Sequence, residues 1–417
     1  MMKKVLNKRK IINDPIYGFV TIPNDLIYDL INHAYFQRLR RIKQLGMTNL
    51  VYPGALHTRF HHAIGAMWLM VEAIKVLQSK GVQINEQEEE ATIIAILLHD
   101  IGHGPFSHAL EHTIVSGVSH EDISAMLMKK LNQEFEGKLS LAIKVFNDKH
   151  PKKFLHQLVS SQLDMDRLDY LKRDSFFTGV SEGVISSDRI IKMLNVRKNQ
   201  LVIEEKGIYS IEKFIIARRL MYWQVYLHKT VLSAENMLVK ILQRAKELAT
   251  KKIELFCSPA LRYFLYNKCG KKDFAQDPKL IELFAQLDDY DIFGAIKVWS
   301  THEDKILSYL CKCMIDRTLY KIEIQNKEFS SSYIKQKQKE IAKTFDLKNN
   351  EIDYFVFTKS VANEIYNVDK IGINLLFRDG KVKDISKSSD QLNVEVLNKT
   401  VRKWFLCYPR LTDGQVR

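Results

Sequence analysis

Apolar residues recur at helical spacing through most of the first 250 positions of the chain. Segment 24–46 starts at an Asn-Asp pair and ends at glycine, and segment 57–81 also ends at glycine, which are ordinary helix start and stop signals. Similar patterns predict further helices over 86–99, 105–112, 120–134, 154–173, 187–195 and 210–248. The spacing therefore predicts a mainly α fold.

The pattern changes to mixed helix and strand after about residue 250. A β-hairpin is predicted slightly earlier, over 200–211, with Lys-Gly at its turn, and strand-like runs return at 352–361 and 373–385, the last with an Asp-Gly turn. We therefore expect a helical body over residues 1–250 and a smaller α+β accessory region over residues 251–417.

Charge and composition narrow the classes of partner. The 417-residue chain has a formal net charge of +14, which favours an anionic partner such as a nucleotide or a nucleic acid. The first 15 residues carry lysines without the apolar segment of a signal peptide, and the longest apolar run, 91–98, is too short to span a bilayer. Five cysteines, an odd number, suggest no disulfide framework. We expect a cytoplasmic protein that does not bind a membrane.

Histidines are concentrated in one part of the chain. Eight of the thirteen lie between positions 57 and 120: His57, His61, His62, His99, His103, His108, His112 and His120. A His-Asp pair at the end of an apolar run is costly to bury unless something compensates its charge. A divalent metal would compensate it, so this crowding predicts a metal site.

The candidate ligands are neutral imidazoles and carboxylates. His62, His99 and Asp100 supply three of them, and the segment 161–174 supplies the fourth. The candidates in that segment are Asp164, Asp166, Asp169 and Asp174. Mixed nitrogen and oxygen ligands suit Mn, Fe, Mg, Ni, Co or Zn better than a metal selected by thiolates.

A second candidate group follows the His-Asp pair. On the helix predicted from Pro105, His108 and Glu111 are three residues apart and would share one face. A carboxylate beside an imidazole raises its basicity and fixes its tautomer, as proton transfer requires.

Several sequence motifs, taken in their order along the chain, resemble those of one protein family. They are NDPIYG, FQRLRRIKQLG, VYPGALHTRFHHAIG, LLHDIGHGPFSH and DMDRLDYLKRD, spread from residue 11 to about 245, with a looser match to roughly 320. They resemble the HD-domain metal-dependent phosphohydrolases, and within them the deoxynucleoside triphosphate triphosphohydrolase branch. The resemblance implies an HD-domain helical bundle with one divalent metal ion held by His62, His99, Asp100 and Asp166.

The same resemblance implies roles for other residues. The implied catalytic groups are His103, His108, Glu111 and His120. The implied substrate-binding groups are Gln44 and Leu45 against the deoxyribose, Arg59 and Arg167 on phosphates, Tyr170 and Asp174 on the sugar, and Arg218 and Tyr226 on the phosphate and sugar sides.

Three positions bear on substrate and regulation. Tyr222 stands where a vertebrate family member has a histidine near the base, so the preferred base is open. Asn32 stands where that member has an aspartate that reads a guanine activator, whereas Arg40 matches an arginine on the activator side. A nucleotide activator is therefore left open, and we expect a homo-oligomer, either a dimer or a tetramer.

The resemblance predicts hydrolysis of deoxynucleoside triphosphates to deoxynucleoside and tripolyphosphate, by attack of water at the α-phosphorus. One alternative is another HD-family activity, on nucleoside monophosphates, cyclic dinucleotides or short oligonucleotides. A different class is a basic regulatory protein that binds single-stranded nucleic acid and carries a structural metal.

Overall fold

Helices make up most of the protein in the computed structural model, which describes residues 10–107, 110–115, 117–348, 350–363, 372–388 and 401–411. The helices of the body are α1 (Asp25–Asn32), α2 (Ala34–Gln37), α3 (Arg59–Ser79), α4 (Glu86–Leu98), α5 (Glu111–Ile114), α6 (His120–Glu134), α7 (Ser140–Phe146), α8 (Lys153–Val159), α9 (Met165–Thr178), α10 (Ser187–Lys192), α11 (Ile208–Met221) and α12 (Lys229–Thr250). Six more follow: α13 (Pro259–Tyr266), α14 (Lys271–Gln276), α15 (Lys279–Phe284), α16 (Asp289–Trp299), α17 (Lys305–Ile315) and α18 (Ser331–Phe345). The predicted mainly α class, with a smaller strand-containing C-terminal region, is confirmed.

The strands form three small sheets. They are β1 (Ile11–Asp14), β2 (Gly18–Thr21), β3 (Leu194–Arg197), β4 (Gln200–Glu204), β5 (Lys321–Gln325), β6 (Phe357–Asn363), β7 (Asn374–Leu376), β8 (Val382–Asp384) and β9 (Val401–Tyr408). The sheet orders are β1-β2, β3-β4-β7-β8 and β5-β9-β6. Strands β4 and β7 pair in parallel, and β5 packs against α12. The strands after residue 320 are therefore joined to the helical body.

Helix α3 lies in the middle of the body. It packs against α4 and α9, and 14 of its 21 residues are buried, so it has almost no polar face. Its length and apolar composition would allow it to cross a membrane, but 72% of that stretch is buried inside the protein. This helix is therefore suited to a protein core, and its first turn carries site residues.

Among the predicted helices that are divided in the structure, two show how a side chain begins a new helix. The helix expected over 24–46 stops at His33, whose Nδ1 accepts a hydrogen bond from Tyr35 N (3.2 Å) and begins α2. The helix expected over 154–173 is interrupted before Asp164, whose Oδ1 accepts from the backbone N–H three residues later (2.7 Å) and begins α9. In both cases a side chain caps a new helix while the apolar spacing continues, so periodicity alone did not reveal the break.

The hairpin predicted over 200–211 was wrong in position. The observed hairpin joins β3 to β4 through Lys198 and Asn199, whose φ values are +47° and +63°. Two successive left-handed residues match a type I′ turn, which asparagine tolerates well. Gly207 belongs instead to a 3₁₀ turn that leads into α11. The Asp-Gly hairpin predicted at 373–385 is confirmed as the β7–β8 pair.

A fully buried arginine ties the body to the segment that precedes α16. The Arg38 guanidinium donates to the backbone carbonyls of Leu287 (2.7 Å), Ile101 (3.2 Å) and His103 (2.6 Å). Nearby, the Asp289 carboxylate accepts from Lys43 N (2.9 Å) and from Phe106 N (2.7 Å). The loop after α4 is thus held from both sides.

We predict that Arg38→Met lowers the free energy of unfolding by about 3 kcal/mol, because three buried carbonyls lose their donor. Denaturant unfolding of the purified variant measures this. The matched control is Arg41→Met, because Arg41 is 45% exposed and its ion pair with Asp288 is expected to contribute below about 1 kcal/mol. Equal losses in the two variants would contradict the role given to Arg38.

Candidate metal centre and adjoining cavity

Three of the four predicted metal ligands, His62, His99 and Asp166, meet where α3, α4 and α9 come together, and Asp100 lies beside them in a second group with His103 and His120. His62 lies in the first turn of α3, His99 and Asp100 directly follow α4, and Asp166 lies in the first turn of α9. His62 Nε2 is 3.4 Å from His99 Nε2 and 3.1 Å from Asp166 Oδ1. His99 Nε2 is 3.3 Å from Asp100 Oδ1. Such separations are those of donors that share one ion at about 2.0–2.2 Å each, so the residues fit a divalent metal.

The carboxylates give the cluster a strongly negative potential. Burial alone would lower the pKa of His62, but hydrogen bonds to Asp166 and Asp169 raise it to about 10. Burial would likewise raise the pKa of Asp166, but hydrogen bonds from His62 and His99 hold it far below its usual range. A proton and a divalent cation compete for the same lone pairs, so a potential that favours protonated imidazoles also favours a metal.

A buried ion network orients the first ligand. His62 Nδ1 is 2.7 Å from Asp169 Oδ2, which directs Nε2 toward the cluster. Asp169 is held in turn by Arg173, whose Nη1 also donates to Asp14 Oδ2 (2.9 Å). Gly65 on α3 makes room for this pair, because a Cβ there would lie 2.1 Å from both Arg173 Nη2 and Asp169 Oδ1. The glycine is therefore required for close packing of α3 on α9.

Beside the cluster, Arg59 and two histidines face the same space. Arg59 Nε donates to Ser107 Oγ (2.8 Å), and its Nη1 contacts Asp100. His103 Nε2 is 3.3 Å from Asp100 Oδ1, and its ring stacks on His120 with centroids 3.9 Å apart. Burial and the nearby Arg59 charge hold the pKa of His103 well below its usual value. His103 is therefore a neutral donor or acceptor at neutral pH.

Two of the predicted ligands, Asp100 and Asp166, lie in the wall of a cavity of about 530 Å³, whereas His62 and His99 lie behind it and do not line it. Twelve predicted site residues line it: Gln44, Leu45, Arg59, Asp100, His103, His120, Asp166, Arg167, Tyr170, Asp174, Arg218 and Tyr226. The structure thus brings residues from distant parts of the sequence to one cavity, while their individual roles stay predictions.

The tyrosine side of the cavity is built on Asp174. The two oxygens of this carboxylate lie 2.8 Å from His57 Nε2 and 2.8 Å from the Tyr226 hydroxyl, which donates to it. The Tyr170 and Tyr226 rings are 6.2 Å apart, edge to face. Gln44 lines the same cavity, and its buried Oε1 accepts no hydrogen bond from the described residues. Gln44 therefore offers an acceptor for a ligand hydroxyl.

Two further arginines, Arg167 and Arg218, line the same cavity. Arg167 Nη1 donates to Asp164 Oδ2 (3.1 Å), while its buried Nε has no acceptor among the described residues. Arg218 has its guanidinium carbon 5.7 Å from the centroid of the Tyr222 ring. The segment Tyr222–Tyr226 is a π-helical turn that interrupts the helix expected over 210–248. This turn places Tyr222 and Tyr226 in the cavity wall.

Several residues of the site received no role from the sequence. His57 was counted only among the clustered histidines, yet it is buried against Asp174. Glu235 and Leu232 of α12 and Val361 of β6 also line the cavity. A detectable signal existed for Glu235, since it is a lone acidic residue on the apolar side of an amphipathic helix.

The predicted proton-transfer pair, His108 and Glu111, lies outside the described side chains. His108 is not among the described residues, and for Glu111 only the backbone is described, in α5.

The predicted start of a helix at Pro105 was wrong. Phe106 and Ser107 both have φ of +53°, which no right-handed helix contains, and α5 begins at Glu111.

Comparison with known families agrees with this geometry. Residues 59–174 match the model of the HD domain, and residues 185–257 match that of the HD associated region. The first range starts at Arg59 and ends at Asp174, so it spans all four residues of the metal cluster.

Two of the relatives match over nearly the whole chain, and a third matches over about half of it. The uncharacterized protein YwfO of Bacillus subtilis is 34% identical over 92% of this chain and 88% of its own length. The crystal structure of a phosphohydrolase from Bacteroides thetaiotaomicron is 56% identical, with a TM-score of 0.94, and covers 97% of this chain and 100% of that one. A Dictyostelium discoideum homolog of the deoxynucleoside triphosphate triphosphohydrolase SAMHD1 is 35% identical over 57% of this chain and 50% of its own length.

These matches and the cluster of histidines and aspartates define the class together. The chain belongs to the HD-domain phosphohydrolases, which are metal-dependent enzymes.

We predict that the wild-type protein binds one divalent ion per chain, and that His99→Ala and Asp166→Asn each lose it, because either change removes a ligand from a set of four. Metal content after dialysis, measured by mass spectrometry, tests this. The control is Asp29→Asn, which neutralises an exposed carboxylate of α1 and should leave the metal content unchanged. Full metal occupancy with unchanged activity in either cluster variant would refute the assignment.

We also predict that Asp169→Asn weakens metal affinity by about 10- to 100-fold without removing a ligand, because the His62 ring loses its charged partner. Metal titration with a competing chelator gives the affinity. Thermal unfolding of the same samples separates loss of orientation from loss of fold, since Arg173 keeps its contact with Asp14. An affinity equal to that of the wild type would show that Asp169 does not orient His62.

Proposed function

We propose that this phosphohydrolase converts deoxynucleoside triphosphates to deoxynucleosides and tripolyphosphate. The observation that carries the proposal is the arrangement of one cavity, with a metal-binding cluster and arginine donors at one end and a tyrosine-lined, hydroxyl-accepting wall at the other. The 35% identical Dictyostelium relative, named as a homolog of a deoxynucleoside triphosphate triphosphohydrolase, supports it.

Hydrolysis at the α-phosphorus needs a bound metal and donors for the phosphate oxygens. A divalent ion, whether Mn, Mg, Fe, Ni, Co or Zn, would polarise the α-phosphate and lower the pKa of a water molecule. Arg167 has a free Nε–H at the cavity wall, and Arg59 presents its guanidinium beside Asp100. Guanidinium groups stabilise the charge that develops on phosphate oxygens in the transition state.

Proton transfer is assigned to the histidines on this side of the cavity. His103 is buried and neutral, so its one ring N–H would donate a hydrogen bond to a phosphate oxygen. His120 stacks on it and supports its orientation. The His108–Glu111 pair, proposed from the sequence, would orient the attacking water or protonate the departing 5′-oxygen.

The sugar is expected at the tyrosine wall. The Gln44 Oε1 acceptor suits the 3′-hydroxyl of a deoxyribose, and the Asp174 carboxylate, already bound by His57 and Tyr226, holds the Tyr226 ring in place. Leu45 lies next to Gln44 and offers no polar group. A 2′-hydroxyl against this leucine would lose hydrogen bonds with water, which favours deoxyribose.

Assembly and activation are separate proposals. We expect a homodimer or homotetramer, and the exposed side chains of Phe19 (72%) and Phe176 (59%) are apolar surface that such contacts would bury. Arg40, the residue that matches an activator-side arginine, lies with its guanidinium carbon 3.5 Å from the centroid of the Phe60 ring and donates to Gln37 Oε1 (2.8 Å). An activating nucleotide would have to compete with these internal contacts.

We predict that tripolyphosphate is the first phosphate product from deoxynucleoside triphosphates in Mn²⁺ or Mg²⁺, with ribonucleotides turned over more slowly. Anion-exchange chromatography resolves tripolyphosphate, pyrophosphate and phosphate. In ¹⁸O-labelled water, attack at the α-phosphorus breaks its bond to the 5′-oxygen, so the label should enter tripolyphosphate and not the deoxynucleoside. Asp166→Asn is the inactive control.

Other outcomes assign the site differently. Pyrophosphate or phosphate as the first product would overturn the triphosphohydrolase proposal. Turnover of monophosphates, cyclic dinucleotides or oligonucleotides alone would indicate another HD-family activity. Salt-sensitive binding of single-stranded nucleic acid with no metal-dependent turnover would indicate the regulatory alternative.

A further inference from the structure

Glu235 is the carboxylate in the cavity that the reaction does not use. Four carboxylates line the cavity, and three of them are bound: Asp100 by Arg59, Asp166 by His62, and Asp174 by Tyr226. Among the described residues none donates a hydrogen bond or forms an ion pair with Glu235. Burial alone raises its pKa to about 7, and no neighbouring charge offsets that effect.

Glu235 lies beside a turn of the cavity wall. Its Oε1 is 3.6 Å from the point that a Cβ on Gly46 would occupy, so it is next to the turn that follows Gln44 and Leu45. The carboxylate is therefore adjacent to the residues on which the proposed function places the sugar.

Apolar residues line the cavity together with Glu235. Leu232, one helical turn before Glu235, faces the same cavity, as do Leu227 and Val361. An unpartnered carboxylate beside such residues is suited to a flat ring that carries N–H donors, because a ligand that covers a carboxylate without donating a hydrogen bond to it is costly to bind.

We propose that Glu235 is a specificity-determining residue that reads the nucleotide base and selects guanine. The inference rests on the proposed function. Guanine presents two neighbouring donors, N1–H and the 2-amino group, which match the two oxygens of one carboxylate. Adenine and cytosine present one amino donor beside a ring acceptor, and thymine flanks its single N–H with two carbonyls that repel a carboxylate. Only guanine satisfies both Glu235 oxygens at once.

The first experiment measures binding without turnover. Dissociation constants of deoxyguanosine, deoxyadenosine, deoxycytidine and thymidine are obtained by ligand-observed NMR with the metal-loaded protein. We expect deoxyguanosine to bind best, and Glu235→Gln to weaken it by about 10- to 100-fold while thymidine changes little. Glu247→Gln, the same substitution at an ion-paired and half-exposed position of α12, is the matched control and should leave all four unchanged.

The second experiment measures kcat/KM for the four deoxynucleoside triphosphates with the same variants. We expect the guanine preference to disappear in Glu235→Gln and in Glu235→Ala. Thermal unfolding of both variants checks that the fold is intact. An equal loss for all four bases, or a wild-type preference for another base, overturns the inference and leaves the proposed reaction standing. Guanine-selective binding that depends on Glu235, without any triphosphate turnover, supports the inference and overturns the proposed reaction.

Discussion

The fold depends on burying charge where α3, α4 and α9 meet. Asp169 is fully buried against His62, and it is tolerable only because Arg173 binds it and reaches on to Asp14 in β1. An unpaired buried charge would cost several kcal/mol, so the network links the N-terminal hairpin, α3 and α9 into one unit. The predicted metal ligand His62 is oriented by that same network, and thus the structural core and the candidate metal centre share their electrostatics.

The region beyond residue 250 takes part in the site through a few specific contacts. The Leu287 carbonyl and the Asp289 carboxylate hold the residues on either side of the loop after α4, and Val361 supplies part of the cavity wall. The groups involved are a backbone carbonyl, one carboxylate and one apolar side chain, and none of them belongs to a distinctive sequence motif. Nothing in the composition of the accessory region therefore marked it as a neighbour of the metal centre.

Sequence periodicity predicted most helices because an apolar stripe at helical spacing follows directly from packing against a core. It failed where a polar side chain begins a new helix, as His33 and Asp164 do, because capping leaves the apolar spacing intact. It also failed at Phe106 and Ser107, whose left-handed backbone is held by tertiary contacts such as the one from Phe106 N to Asp289.

The sequence by itself determined the ligand chemistry, because few residue types bind a divalent ion and their order along the chain is characteristic of the family. Composition and spacing left four carboxylates as candidates, and the family resemblance favoured Asp166. Only the tertiary structure decided what each carboxylate contacts. Asp166 faces the cluster, and Asp164 begins α9. Asp169 binds the other nitrogen of His62, and Asp174 supports the tyrosine wall. The physical reason is that helical spacing gives relative side-chain directions, whereas the packing of α9 against α3 determines what each direction meets.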